Sequence, residues 1–378
     1  MPLAHAKLSP SSAHRWTRCT ASIKAESAYE DTGSTYAQLG TAMHEVGERC
    51  LLNKMDASEF IGEEVEGVVV DKENAEAVQQ YVDYVNRIVA ETGGELHVEV
   101  RLDLSSIAPD TFGTSDVVIL DTKGKNIIIV DYKNGRNPVS AVNNEQMKLY
   151  ALGAYNDFGF IHDFEHVEMH IVQPHVNNFS EDTIEIHDLI TWSQWVKEQA
   201  DKILNDEGVF NPSDKACKWC AHKGNCEALS EHVNKVITGE FANLDELDGN
   251  ADKLDTDHLK RVLDNADLIE GFVKAVKEVA LERLQSGEEI KGYKLVEGRT
   301  TRKWRDEAEV EEYLRKRMKV SDLYVKKMIP MTQILKLNKD DKKLQQMLIK
   351  PEGAPTLASE SDRRPAITAV KDCFKDLG

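Results

Sequence analysis

The chain has 378 residues, a formal net charge of −19 and six cysteines. That length supports two or three domains with an ample core and no need of disulfides. No apolar run approaches the roughly 20 residues of a membrane span and the start lacks a signal-peptide pattern, so a cytoplasmic protein with free thiols and no membrane partner is expected; the acidic balance also argues against indiscriminate nucleic-acid binding, which calls for Lys and Arg.

In chain order, an N-terminal arm to about Gly40 carries Cys19 within Ser11-Ser12-Ala13-His14-Arg15-Trp16-Thr17-Arg18-Cys19. A helix opens at Gly40-Thr41-Ala42-Met43-His44-Glu45 and runs through Cys50 and Leu51, with His44 at the border of its apolar stripe. A histidine so placed is usually packed or at the surface. After an acidic stretch, Glu59 to Asp71, a second helix has Val78, Val82, Val85 and Val89 on one stripe and ends at Gly93-Gly94. His97 to Leu104 alternates as a strand, with Val98, Val100, Leu102 and Leu104 on one face and Glu99, Arg101 and Asp103 on the other. Two more strands are expected at Thr114 to Asp121 and Asn126 to Lys133, joined by the turn Thr122-Lys123-Gly124-Lys125. Val142 to Tyr155 is helical in pattern and sets Gln146 and Tyr150 four apart on one face. A strand at Val167 to Gln173 follows, then a helix with Trp192, Trp195, Val196 and Ile203. Beyond Cys226, Leu254 to Leu284 is a long helical pattern, Ile290 to Gly298 reads as a strand, Ala308 to Met318 as a helix, and Pro351 to Pro365 as a low-complexity linker.

The chemistry gathers on the two central strands. Asp131 and Lys133 are two apart and face the same side, while Val130 and Tyr132 face the other. Antiparallel pairing brings Asp116 beside Asp131. Two carboxylates at the end of an apolar hairpin repel one another, and a divalent cation resolves that conflict. Mg²⁺ takes a few carboxylates and retained waters, and it can activate a water against a phosphate. Lys133 would orient or deprotonate that water, or neutralise the phosphate. Alone, Asp131-x-Lys133 is more simply a strand-end ion pair.

Three cysteines form Cys217-x2-Cys220-x5-Cys226, bracketed by Lys215, Lys218, Trp219, His222 and Lys223. Such spacing points to a metal. A fourth ligand is required, either His222 or Cys19, and spacing leaves structural zinc and an iron-sulfur cluster comparable. Cys50 and Cys373 have no partner pattern and read as a buried helix cysteine and a free thiol.

Taken together, these residues resemble the PD-(D/E)XK nuclease superfamily, in particular its RecB/AddB-type branch of phage exonucleases and four-cysteine nucleases. The resemblance spans roughly residues 11 to 230. It implies an α/β restriction-endonuclease-like core, a central mixed sheet flanked by helices, with an α-rich C-terminal extension. It places His44, Asp116 and Asp131 as ligands of Mg²⁺ or Mn²⁺, with the Tyr132 carbonyl added, Lys133 as the catalytic lysine and Glu99 as an acid on the first core strand. Gln146 and Tyr150 match a Q-x3-Y motif that contacts DNA. Cys19 with Cys217, Cys220 and Cys226 repeats a one-plus-three layout that holds a [4Fe-4S] cluster, which favours iron and sulfur over structural Zn²⁺. The implied domains are 1–95, a helical part carrying Cys19 and His44; 96–230, the nuclease core and cysteines; and 231–378, a helical, basic extension. The implied function is an exonuclease resecting DNA ends in phage recombination or replication, with a single-strand binding or annealing protein as companion. A structure-specific endonuclease and a non-catalytic DNA-binding scaffold are the alternatives. Residues 291–350 hold 17 Lys and Arg against 9 Asp and Glu, a mixture with tyrosines that suits a DNA-tracking groove or a solvated basic face about equally.

Overall fold

The computed structural model describes residues 6–29, 35–160, 162–239, 255–296, 311–313 and 315. The first compact unit is Met1–Val296; of the second, Glu297–Gly378, only residues 311–313 and 315 are described. The boundaries expected at 95 and 230 both fall inside the first unit. Most of the basic segment, the Pro351 to Pro365 linker and Cys373 lie outside the described residues.

The first unit is an α/β layer structure. Helices α1 (Thr35–Asn53) and α2 (Lys72–Thr92) precede strands β1 (Glu95–Asp103), β2 (Phe112–Asp121) and β3 (Asn126–Tyr132). Helix α3 (Glu145–Phe158) then crosses to β4 (His166–Gln173), followed by β5 (Asn178–Glu185) and α4 (Ile186–Leu204). The strands lie in the order β1-β2-β3-β4-β5, antiparallel except for the parallel β3–β4 pair. A parallel neighbour needs a crossover, and α3 supplies it.

The local signals have identifiable causes. Asp71 caps α2 by accepting from the Asn74 amide, and Gly93, at φ 65°, closes its other end in the left-handed conformation that glycine adopts without penalty. In the β2–β3 turn the Asp121 carboxylate accepts from the amides of Lys123 and Gly124. Asn144 caps α3, accepting from the amides of Gln146 and Met147.

Alternation along the sheet divides its apolar side chains between two layers. Val117, Ile119, Ile128, Val130 and Tyr132 pack under α1 and α2. Val118, Leu120, Ile127 and Ile129 pack against α3 and α4. Strand β1 departs from the expected strict alternation. Leu96 and Val98 belong to the α1/α2 layer, whereas Val100 and Leu102 belong to the α3/α4 layer. The change of side falls at Glu99, whose φ is 50°. Its cross-strand position is Asp116, flanked by the pairs Val98↔Val117 and Val100↔Ser115.

Five further differences stand out. Strand β5 alternates half-buried with exposed residues but lacks a strongly apolar face, so it escapes periodicity. Helix α5 (Glu227–Thr238) follows Cys226 directly, and the pattern read as one helix from Leu254 is two, α6 (Thr256–Asp264) and α7 (Ala266–Gln285), broken at Asn265. The strand expected from Ile290 is absent over the described residues 290–296. The acidic stretch holds a two-stranded hairpin, Glu64–Val65 with Val68–Val69.

Candidate metal centre and cysteine pocket

One cleft of about 470 Å³ is lined by His44, Glu99, Asp116, Asp131, Lys133, Gln146 and Tyr150, with Pro10 and Gly113 at its wall. Every candidate side chain of the first motif set is therefore brought together, except Tyr132, which packs its ring inward against Tyr81 and His44 at centroid distances of 5.1 and 5.4 Å.

Asp116 reaches this position because the β2–β3 ladder ends at Val117↔Val130. Beyond that pair the strands part, and Asp116 Oδ2 accepts the Tyr132 amide at 2.7 Å, satisfying a donor that the ladder leaves open. Its Oδ1 lies 3.2 Å from His44 Nδ1. His44 enters from the α1 layer. On the other side, Lys133 Nζ lies 2.9 Å from Asp131 Oδ2 and donates to Gln146 Oε1 at 3.2 Å. Gln146 Nε2 donates to Asp131 Oδ1 at 3.3 Å and to the Tyr150 hydroxyl at 3.0 Å. The Gln146-x3-Tyr150 spacing thus stacks two polar groups over the buried carboxylate.

The ligand atoms of His44, Glu99 and Asp116 all lie within 4.8 Å of one another, and among the described residues this is the group of three or more so arranged. Glu99 stands in the group, and Asp131, only 2% exposed, lines the same cleft with Oδ2 2.9 Å from Lys133 Nζ and Oδ1 accepting from Gln146. A carboxylate that deeply buried requires a counter-charge, and Lys133 on the same strand face provides it.

Electrostatics mark the Glu99 side as short of positive charge. Burial and the neighbouring Asp116 push the Glu99 carboxyl up to about 7. Burial also opposes ionisation of Asp116, yet His44, the Tyr132 amide and Lys133 outweigh it and hold that carboxyl below the usual range. Burial disfavours the His44 imidazolium, but Asp116 and Asp131 more than offset this and raise its pKa. The donor set, two carboxylates and one imidazole with unbalanced negative charge, fits a divalent cation.

The cysteines occupy a separate place. Cys19, Cys217, Cys220 and Cys226 line one small pocket closed by Phe210 and Leu229. The N-terminal arm is laced to residues 209–211, with the Ala21 amide donating to the Val209 carbonyl at 3.2 Å and the Val209 amide to Thr20 Oγ1 at 2.8 Å. That lacing brings Cys19 to the distant trio. The sulfurs form no group within 4.8 Å of one another, so a closed ligand cage, the iron-sulfur expectation included, is not displayed. Burial pushes the thiols of Cys19 and Cys217 up, and that of Cys220 up to about 12. Backbone hydrogen bonds at Asn211, Ser213 and His222 act the other way. His222, the other candidate fourth ligand, lies at 3.2 Å from the Tyr29 hydroxyl through Nδ1. Cys50 is buried in α1, as expected.

The family description "Protein of unknown function (DUF2800)" matches residues 5–365. The chain belongs to the DUF2800 family. Among solved structures, this DUF2800 protein is similar to one titled "Crystal structure of SSO0001", at 13% identity over 49% of this chain and 85% of that chain, with a TM-score of 0.25. No described helix of the DUF2800 chain is long and apolar enough to cross a membrane.

Residues missed in the sequence also line the cleft. Ser9, Pro10 and Ser11 form a wall from the N-terminal arm. Their signal was the Pro10-Ser11-Ser12 turn, which carries no periodicity.

Proposed function

We propose that this DUF2800 protein is a Mg²⁺- or Mn²⁺-dependent deoxyribonuclease, acting as an exonuclease that resects DNA ends in phage recombination or replication. The observation that carries the reading is the convergence of His44, Glu99 and Asp116 within 4.8 Å, in the same cleft as Asp131 and Lys133.

His44, Glu99 and Asp116 would hold the ion, with Asp131 and the Tyr132 carbonyl completing the expected set. When bound, the metal supplies a Lewis acid for the scissile phosphate and lowers the pKa of a water. Lys133 Nζ, anchored by Asp131 and Gln146, presents a positive charge to the cleft, where it orients the attacking water or neutralises the phosphate. Gln146 and Tyr150 fix that lysine and face the strand alongside it. Asp116 keeps the β3 end in place through the Tyr132 amide, so the carboxylate both binds and positions.

We also propose a [4Fe-4S] cluster on Cys19, Cys217, Cys220 and Cys226. Their common pocket and the Leu229 amide, which donates to Cys226 Sγ at 3.4 Å, support it.

The test is cleavage of end-labelled linear and covalently closed circular DNA with Mg²⁺, Mn²⁺ or EDTA. Metal-dependent loss of the linear substrate alone is expected. Glu99→Gln and Lys133→Ala should each slow cleavage about a hundredfold or more with the melting temperature of the fold retained. Undiminished cleavage in both variants overturns the assignment, and cleavage of closed circles replaces the exonuclease with an endonuclease.

A further inference from the structure

A second groove, of about 630 Å³, adjoins the metal cleft and shares Ser11, Lys133 and Gln146 with it. It runs past the 138–144 loop to the turn between Cys217 and Cys220, where Lys215, Lys218 and Trp219 line it. Four cations border this groove, Arg15, Lys133, Lys215 and Lys218. Its carboxylate, Glu145, is already paired with Arg18. On a chain of net charge −19 such a surface stands out.

The aromatic at its far end is presented rather than packed. Trp219 is 61% exposed, and leaving an indole in water forgoes the stabilisation that burial would bring. Its backbone is nevertheless fixed. Arg15 Nη1 donates to the Trp219 carbonyl at 3.1 Å while Arg15 Nε pairs with Glu26 at 2.7 Å. Lys223 Nζ donates to the Lys218 carbonyl at 3.1 Å. The Lys218 ammonium lies 5.6 Å from the Trp219 ring centroid. A tied turn thus presents an exposed indole with the Lys218 ammonium over its ring and Lys215 lining the same groove, the combination by which single-stranded nucleic acid is bound without sequence preference.

We propose that this groove carries a single-stranded nucleic-acid segment away from the metal cleft, one base stacked on Trp219 and the adjacent phosphates on Lys215 and Lys218. The proposal rests on the nuclease reading for the direction of the strand, since Lys133 and Gln146 belong to both depressions. Arg15 is a positioning residue here: it donates to the Trp219 carbonyl and pairs with Glu26.

The experiment is fluorescence anisotropy of the full chain with a fluorescein-labelled oligothymidylate of about 20 nucleotides, longer than one binding site, in EDTA so that cleavage cannot intervene. Trp219→Ala should weaken binding roughly tenfold or more, the size of one stacked base, while Trp219→Phe restores most of it. Lys215→Gln with Lys218→Gln should lower the slope of log K against log salt by about 1.4, or about 0.7 for each lost phosphate contact. Melting temperature and Mn²⁺ affinity serve as controls of fold. Unchanged oligonucleotide affinity in Trp219→Ala, or an unchanged salt slope in the double lysine variant, overturns the proposal. So does a duplex that competes as well as the single strand and is equally sensitive to Trp219. Failure of the nuclease reading shows elsewhere, as wild-type protein that binds the oligonucleotide but never cuts DNA with Mn²⁺.

Discussion

At the scale of single residues, Glu99 is the most informative. It sits at φ 50°, a left-handed conformation that costs a non-glycine residue about 1 kcal/mol or more, and its carboxyl is pushed up to about 7 by burial and by Asp116. The second feature disfavours the charged carboxyl in a protein without a bound cation. The linkage has a definite sign: the folded pKa lies above the ordinary 4.5, so the protonated form stabilises the fold below pH 4.5 and that contribution is lost as pH rises through 7. The raised His44 acts in the same direction, whereas the lowered Asp116 matters only at more acid pH. In EDTA the melting temperature should fall across this window, and Glu99→Gln should flatten the profile. Mn²⁺ competes with the proton for the same carboxylate, so its affinity, measured by calorimetry, should rise over the same range. A Glu99→Gln profile parallel to the wild type would remove Glu99 from the centre.

At the scale of elements, the site depends on β1 changing layers at Glu99, across from Asp116 on β2. A regular pair of strands would give each carboxylate to one side of the sheet. The break lets Asp116 meet His44 from the α1 layer while lying near the Asp131 and Lys133 pair of the α3 layer. Gly113 is the close approach that permits α3 to sit against β2 beside the cleft: a β-carbon there would lie 2.7 Å from Pro10 Cγ and 2.8 Å from Tyr150 Cε1. Gly113→Ala should therefore cost about 1–3 kcal/mol, read as a lower urea midpoint. It should also weaken DNA cleavage through displaced Tyr150. An unchanged midpoint would mean that the N-terminal arm yields freely. The hairpin, the capped helix and the Gln146-Tyr150 face were legible because turn residues and side-chain periods are local. The layer exchange was not, since an apolar residue at every second position gives the same pattern whichever layer each side chain enters.

For the whole molecule, the two halves of the cysteine set are joined only by folding. Cys19 and Cys217 are far apart in sequence, and the contacts of Thr20 and Ala21 with Val209 close that distance. Anaerobically purified protein should be brown and contain about four iron atoms per chain, as a [4Fe-4S] cluster requires. Cys217→Ser should bleach it and lower the melting temperature. Colourless protein containing zinc would replace the cluster with a structural zinc site.

The sequence by itself determined the strands β2 and β3, the helix with Gln146 and Tyr150, and the side on which Asp131 and Lys133 fall, because each follows from a local period or turn. It also delivered the cysteine spacing. Only the tertiary structure decided that Glu99 lies within 4.8 Å of His44 and Asp116 with the Asp131–Lys133 pair beside them, and that Trp219 stands open at the end of a cationic groove. Those outcomes depend on where strands part, which charges are buried together and which segments meet across the chain. Such distances are set by packing between elements, and no window of neighbouring residues encodes them.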